Sequence, residues 1–322
     1  MLKAFLISIA LLISCGSVER KKIESDTRYE KLERKYNLYV YLLNNSERFD
    51  SGWITKDCDG LLYNSIASIS GIENIDIEMA KDHKNKWYRT PKQNCYSSGK
   101  SGSSISRDMF LGLFYWIHQN ERLDLIKEII DYGRDHKNNL GFWVMGDGDK
   151  TRTDIRTNMQ ATAHELRYRL GGADHDARKL PQFWTKETSG YATHLQFLHI
   201  YLRGMLRGKI STKAFDVMKH HIKYQPNNAL FNIMYHRYVD NNFDSAISIL
   251  LDNKYFPDDS LPTNKNYCTD YFWSRDEDGK DWKPCDRNND YVRGIDFIFA
   301  SSIILQKIRR ENYAIQRIEG DD

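Results

Sequence analysis

Successive apolar stripes of helical period, joined by connections too short to do more than reverse the chain, constrain this sequence most. Phe110, Leu113, Phe114 and Ile117 share one helical face, and Leu123, Ile126 and Ile130 share the next. Only residues 118–122 separate them, so an antiparallel pair is expected. Leu195, Leu198, Leu202 and Met205 form a third stripe, and Phe215, Met218 and Ile222 a fourth. Leu230, Ile233 and Met234 face Phe243, Ile247 and Leu250 across Asp240-Asn241-Asn242, and Ile295, Ile298, Phe299 and Ile303 mark a final long helix. No strong period-2 alternation stands out, so the chain reads as mainly α with no strand expected. At 322 residues, 40% of them apolar, it is long enough to bury a sizeable core.

Serial helical hairpins have two common solutions, an (α/α) toroid and an α-solenoid. No fixed repeat of 30–50 residues is present, which favours the toroid or a partial one, with long irregular loops at its rim. A looser echo supports this: Trp87-Tyr88-Arg89-Thr90-Pro91 and Cys95 precede one helix, and Trp282-Lys283-Pro284-Cys285 precede another. The chain divides into residues 1–14 as a signal peptide, 15–26 as a polar tether, a single helical domain over 27–312 and a polar tail over 313–322.

The N-terminus carries an address. Lys3 precedes an apolar run from Ala4 to Ile13 that is too short to span a bilayer as a mature helix and has the form of a secretory signal. The stretch Leu12-Ile13-Ser14-Cys15 resembles a bacterial lipobox, which implies cleavage and lipidation at Cys15. Gly16 follows in place of the Asp that resembles an inner-membrane retention signal, so the outer membrane or cell surface is the expected location. Setting Cys15 aside leaves Cys58, Cys95, Cys268 and Cys285, an even number suited to two disulfides in an oxidising compartment. Cys58–Cys95 and Cys268–Cys285 close the smaller loops. No CxxC pair is present, so no metal site is expected at these thiols.

Formal charge is +3, from 47 basic and 44 acidic residues, which gives no footprint for nucleic-acid binding. The aromatic content is high, with 20 Tyr, 14 Phe and 7 Trp, and the chemistry-bearing residues crowd into the long connections. Asp59, Asp108, Asp147 and Asp149 form a pool of carboxylates, Arg107 stands beside one of them, and Trp87, Arg89, Trp143 and His164 lie close by in sequence. Indole faces stack on sugar rings, guanidinium forks bind hydroxyls or uronates, and paired carboxyls can supply acid and base. Each residue also has a structural use: Ser106 and Asp108 suit a capped helix start, Asp59 suits another, and Asp147-Gly148-Asp149 suits a polar turn. Two acidic runs, Asp147 to Asp154 and Asp276 to Asp281, resemble calcium loops only in part: Asn158 stands where the first needs a carboxylate, and the second has no downstream Glu. Ca²⁺ is thus at most an incidental ligand, and no cofactor is expected. GxSxG, Walker and GxGxxG motifs are absent, as is a second His completing a zinc-protease motif after His164-Glu165.

The helical hairpins with a Trp/Asp/Arg-rich rim resemble, in architecture, the (α/α) toroids of glycoside hydrolases and polysaccharide lyases. That resemblance implies an envelope lipoprotein that binds and cleaves a polysaccharide by hydrolysis or elimination. The competing expectation is a non-catalytic surface lipoprotein that binds a glycan or docks a partner.

Overall fold

The computed structural model describes residues 28–55, 60–92, 105–144, 150–154, 157–172, 184–186, 190–223, 225–262 and 294–319. At 50, 142–144, 150–154, 157, 190–192 and 309–319 only the backbone is described. The chain is mainly helical. Helix α1 spans 28–44, followed by α2 (Gly60–Ile69), α3 (Arg107–Gln119), α4 (Leu123–Asp135), the strands β1 (Asn139–Val144) and β2 (Lys150–Asp154), then α5 (Thr157–Arg169), α6 (Gly190–Arg207), α7 (Thr212–Ile222), α8 (Ala229–His236), α9 (Asp244–Leu251) and α10 (Ile295–Glu319).

The helices fall into two kinds, and their sequences say why. In α2 every residue from Gly60 to Ala67 is buried, and α3 buries all but one residue from Met109 to Ile117. A helix apolar around its whole circumference belongs inside. By contrast α4 buries Leu125, Ile126, Ile129 and Gly133 and turns its charged residues outward, and α7 buries Ala214, Val217, Met218 and His221 on one side. The inner helices pack in a closed cycle: α2 on α3, α3 on α6, α6 on α8, α8 on α10, and α10 back on α2. Around it, α4 packs on α3 and α5, α7 on α6 and α8, and α9 on α8, while α5 fills the angle between α3 and α6.

The closest approach is between α2 and α3. Gly112 sits where a methyl group would lie 2.7 Å from both the Cα and the carbonyl oxygen of Leu62. Leu62 is near the start of α2 and Gly112 near the middle of α3; both helices then run on to a shared end, where Ile69 and His118 line the same cleft. These two neighbours therefore run the same way, which the long 70–106 connection allows. Asn64, fully buried on α2, fastens part of the preceding segment: its Oδ1 accepts from the Ile54 N–H at 2.8 Å, and its Nδ2 donates to the carbonyls of Gly60 at 2.8 Å and Thr55 at 3.3 Å. Trp53, from the same segment, donates its indole N–H to the Asp76 carbonyl at 2.7 Å and packs its ring against Gly60.

Helix α1 straps the outside. Lys35, almost fully buried, reaches Asp258 at 2.8 Å, Tyr36 donates to the Ser70 carbonyl at 2.8 Å, and the Tyr39 ring meets Phe297 of α10 at 4.2 Å. The short reversals expected from the sequence hold. Glu121 takes a left-handed conformation (φ 52°) between α3 and α4, and Asn241 (φ 54°) does so between α8 and α9.

One expectation is corrected. Residues 139–154 hold an antiparallel pair, with Phe142 opposite Arg152, Trp143 opposite Thr151 and Val144 opposite Lys150. Leu140, Phe142 and Val144 do alternate in the sequence, and β-branched Thr151 and Thr153 follow Gly146-Asp147-Gly148-Asp149, residue types that favour turns and lie outside the described residues. The run is short enough for the surrounding helical pattern to hide it. A second correction concerns Ser106: it occupies the N-cap position of α3 in extended backbone, but its hydroxyl makes no capping bond.

Candidate functional site

The carboxyl ends of the inner helices converge. Ile69 ends α2, His118 and Gln119 end α3, Gly208 follows the last residue of α6, and Arg237 follows the last residue of α8. With the flank of α10 they enclose an open cleft of about 550 Å³. Its deeper wall is aromatic. Tyr115 meets Phe299 edge-on at 5.6 Å, and Tyr201 meets Tyr238 edge-on at 6.0 Å. Their hydroxyls are tied down: Tyr115 donates to the Leu198 carbonyl at 2.7 Å and Tyr238 to the Tyr201 carbonyl at 3.2 Å. Burial raises the pKa of both, so they remain neutral phenols.

Polar groups crown that wall. Gln119 and Gln306 are exposed, Arg237 is half-buried, and Lys307 donates to the Asn241 carbonyl at 3.1 Å while lying 4.8 Å over the Phe243 ring. His118 has a buried Nδ1 with no hydrogen-bond partner among the described residues. Burial pulls its pKa below the usual histidine value, against the opposing charge of Glu121, so the ring is neutral at pH 7. Met205, 39% exposed, offers an apolar lip. No carboxylate lines the cleft among the described residues.

The turn after α8 places several of these groups. The Asn241 N–H donates to the His236 carbonyl at 2.8 Å, and Asp240 Oδ1 accepts from the Asn242 N–H at 2.9 Å and contacts His236 Nδ1 at 2.9 Å. Such side-chain bonds within a turn are what Asp and Asn supply.

The residues singled out from the sequence lie elsewhere. Asp108 is in the first turn of α3, ten residues before His118, hence about 15 Å away along the axis at the helical rise. Its carboxylate is 15% exposed and stands 3.9 Å from the Arg107 guanidinium. Trp87 is 3% exposed and pairs by its backbone with Lys81, so it offers no indole face to solvent, and Arg89 is 8% exposed. His164 is half-buried on α5. Trp143 is on β1, with its side chain outside the described set. Asp59, Asp147, Asp149 and all of Cys15, Cys58, Cys95, Cys268 and Cys285 fall outside the described residues, as does the acidic run from Asp276 to Asp281. The structure thus brings Arg107 and Asp108 together and separates them from the cleft.

The residues that build the cleft, His118, Gln119, Tyr201, Arg237, Tyr238, Gln306 and Lys307, carry no motif. Their only sequence signal is polar side chains where apolar helices end, and Ser302 and Gln306 one turn apart on an otherwise apolar α10 face.

Among the described residues no three His, Cys, Asp or Glu side chains gather as metal ligands. None of the helices searched among them is long and apolar enough to cross a membrane. Comparison of the chain with protein-family models, with curated proteins and with solved structures finds no match.

Proposed function

We propose that this chain is an exported, lipid-anchored protein of the cell envelope that binds a carbohydrate in the cleft at the carboxyl ends of its inner helices. The observation that carries the reading is the make-up of that cleft: the half-buried Tyr238 ring, backed by the buried Tyr115, Tyr201 and Phe299, beside side chains that donate and accept, Gln119, Gln306, Arg237 and Lys307. A sugar presents the same pair of surfaces, an apolar ring face and hydroxyls that need both donors and acceptors. The volume of about 550 Å³ accommodates a small saccharide. The lipobox-like stretch at Cys15 supplies the anchor, and the partial toroid, with α2, α3, α6, α8 and α10 inside and α4, α7 and α9 outside, is the architecture this reading takes.

The described part of the cleft favours binding over hydrolysis, because hydrolysis needs a pair of carboxyl groups about 5–10 Å apart and none is among its described lining residues. Cleavage remains a second reading with one specific support, the Arg107–Asp108 pair at the opposite end of α3.

A glycan array probed with the anchored chain in detergent tests the proposal. Retention of a defined set of glycans is expected, with affinity falling about tenfold in Gln119→Ala/Gln306→Ala, two exposed positions whose loss leaves the melting temperature unchanged. An array without retained glycans, or a double variant that binds as the parent does, refutes it.

A further inference from the structure

The large cleft holds a positive charge that no described residue neutralises. Of its described lining residues only His118, Arg237 and Lys307 have basic side chains, and none is an Asp or Glu. His118 is neutral at pH 7, because burial holds its pKa below the usual histidine value. Lys307 is engaged: its ammonium donates to the Asn241 carbonyl at 3.1 Å and lies 4.8 Å over the Phe243 ring. Arg237 differs, for among the described residues its guanidinium group makes no hydrogen bond and no ion pair.

Its position accounts for only part of this. Arg237 is the first residue past α8, where the negative pole of the helix suits a cation, and its backbone N–H donates to the Ile233 carbonyl at 3.0 Å. A helix pole is a diffuse field, however, and accepts none of the five N–H bonds that a guanidinium group offers. The carboxylate nearest in sequence is committed elsewhere: Asp240 accepts from the Asn242 N–H at 2.9 Å and meets His236 Nδ1 at 2.9 Å. Arg237 is half-buried, so part of its hydration is already lost, and a partly desolvated charge gains from a partner of opposite sign. Burial and the neighbouring Tyr201 raise the Tyr238 pKa, and the Arg237 charge opposes that rise, which puts the guanidinium group within electrostatic reach of that ring. The exposed amides of Gln119 and Gln306 line the same cleft.

We infer, resting on the carbohydrate reading of this cleft, that the saccharide it takes is an acidic one, a uronic acid whose carboxylate pairs with Arg237 while its hydroxyls meet Gln119 and Gln306. A planar guanidinium fork matches the two oxygens of a carboxylate, and such charge-assisted pairs are roughly twice as strong as neutral hydrogen bonds. A neutral sugar fits the same space but leaves the Arg237 charge without a counter-ion, and a cationic aminosugar is repelled by it. With no carboxylate among the described lining residues, none of them competes with the ligand for the guanidinium group.

A glycan array probed with the full chain in detergent tests this, followed by isothermal titration with each retained glycan and with the same glycan after its carboxyl groups are reduced to primary alcohols. The retained glycans are expected to carry uronic acid residues, and reduction should weaken binding about tenfold. Affinity for the acidic form should fall as sodium chloride is raised, while that for the reduced form should not. Arg237→Gln should bind both forms alike, and Arg237→Lys should keep the preference at lower affinity, because a point charge replaces the fork. Should Arg237→Gln impair folding, Arg237→Lys decides: binding equal to the parent's would mean that the side chain does not touch the ligand. Retention of neutral glycans only, or an Arg237→Gln chain that still prefers the acidic form, overturns this inference and leaves the carbohydrate reading standing, whereas an array that retains nothing overturns both.

Discussion

Gly112→Ala tests the packing on which the inner helices depend. The added methyl group would lie 2.7 Å from Leu62 Cα, 2.7 Å from its carbonyl oxygen and 3.1 Å from its carbonyl carbon. All three are backbone atoms inside a helix, so no rotamer change relieves the contact. Bringing 2.7 Å up to an ordinary 3.4 Å means parting α2 and α3 by about 0.7 Å, and a gap of that size forfeits a quarter to a half of the dispersion energy of the atoms that face across it. Overpacking of this kind costs about 2–3 kcal/mol. Alanine returns about 1 kcal/mol through its better helix propensity, leaving a net destabilisation of about 1–2 kcal/mol. The melting temperature, read by circular dichroism at 222 nm, is expected to fall by about 2–3 °C. Because the clash is with backbone, adding Leu62→Ala should not relieve it, and the double variant should be less stable than either single one. A Gly112→Ala chain as stable as the parent, or one rescued by Leu62→Ala, would refute the described approach of the two helices.

Other substitutions test other parts of the argument. Asn64→Leu keeps the volume but strands the Ile54 N–H and removes the bond to the Thr55 carbonyl, so chemical denaturation should show a loss of about 2 kcal/mol, and a loss below about 0.5 kcal/mol would contradict the described bonds. His199 is 5% exposed, and burial with the charges of Arg203 and Arg107 lowers its pKa to about 3, so the unfolded chain takes up its proton near pH 6.5 while the folded chain does not. Its share of stability is therefore complete above pH 6.5 and lost as pH falls toward 3, at about 1.4 kcal/mol per unit, and His199→Gln should remove one proton's worth of that slope from urea midpoints between pH 4 and 6. Buried His194 shifts the same way. Asp108→Asn separates the two uses open to that residue: as a first-turn anion it contributes about 0.3–1 kcal/mol to α3 and nothing to turnover, whereas as a catalytic acid or base its loss would abolish any glycan cleavage with melting nearly unchanged.

The parts of the fold that were legible from sequence are those where one helix face alternates with another. The stripes of α3 and α4 and the Asp240-Asn241-Asn242 reversal are where the pattern puts them, because short links and amphipathic faces leave few alternatives. The stripe of α6 is instructive in its failure at one end. Leu195, Leu198 and Leu202 are buried, but Met205 is 39% exposed because the helix has by then reached the open cleft. The β1–β2 pair was hidden by its brevity, and the parallel run of α2 beside α3 by a 37-residue connection (70–106) that fixes no direction. The cleft was invisible for a different reason: its residues come from five separate helices, and only tertiary packing makes neighbours of His118, Tyr238 and Gln306. Polar residues cluster in the long connections, whereas the described cleft lies at the other ends of the helices.

That opposition has a physical root. An inner helix that is buried on all sides can present chemistry only at its two ends, so any site on such a scaffold must be built from loop residues before α2, α3, α6 and α10 or from the last turns that follow their buried stretches. The amino ends receive the long connections rich in Asp, Arg and Trp, together with the positive poles of the helices, a setting suited to holding carboxylates ionised and to binding anions. The carboxyl ends receive short reversals that leave room between helices, and there the lining is aromatic and amide with no carboxylate among the described residues. Gly204 shows how little separates neighbouring cavities on such a scaffold: without a side chain, it lets Tyr238 and Ile210 close in from opposite sides, so a single helix wall divides the large cleft from a smaller hollow of about 120 Å³. Gly204→Ala would push Tyr238 toward one and Ile210 toward the other. Glycan retention on the array should therefore weaken in that variant, as it does in Gln306→Ala.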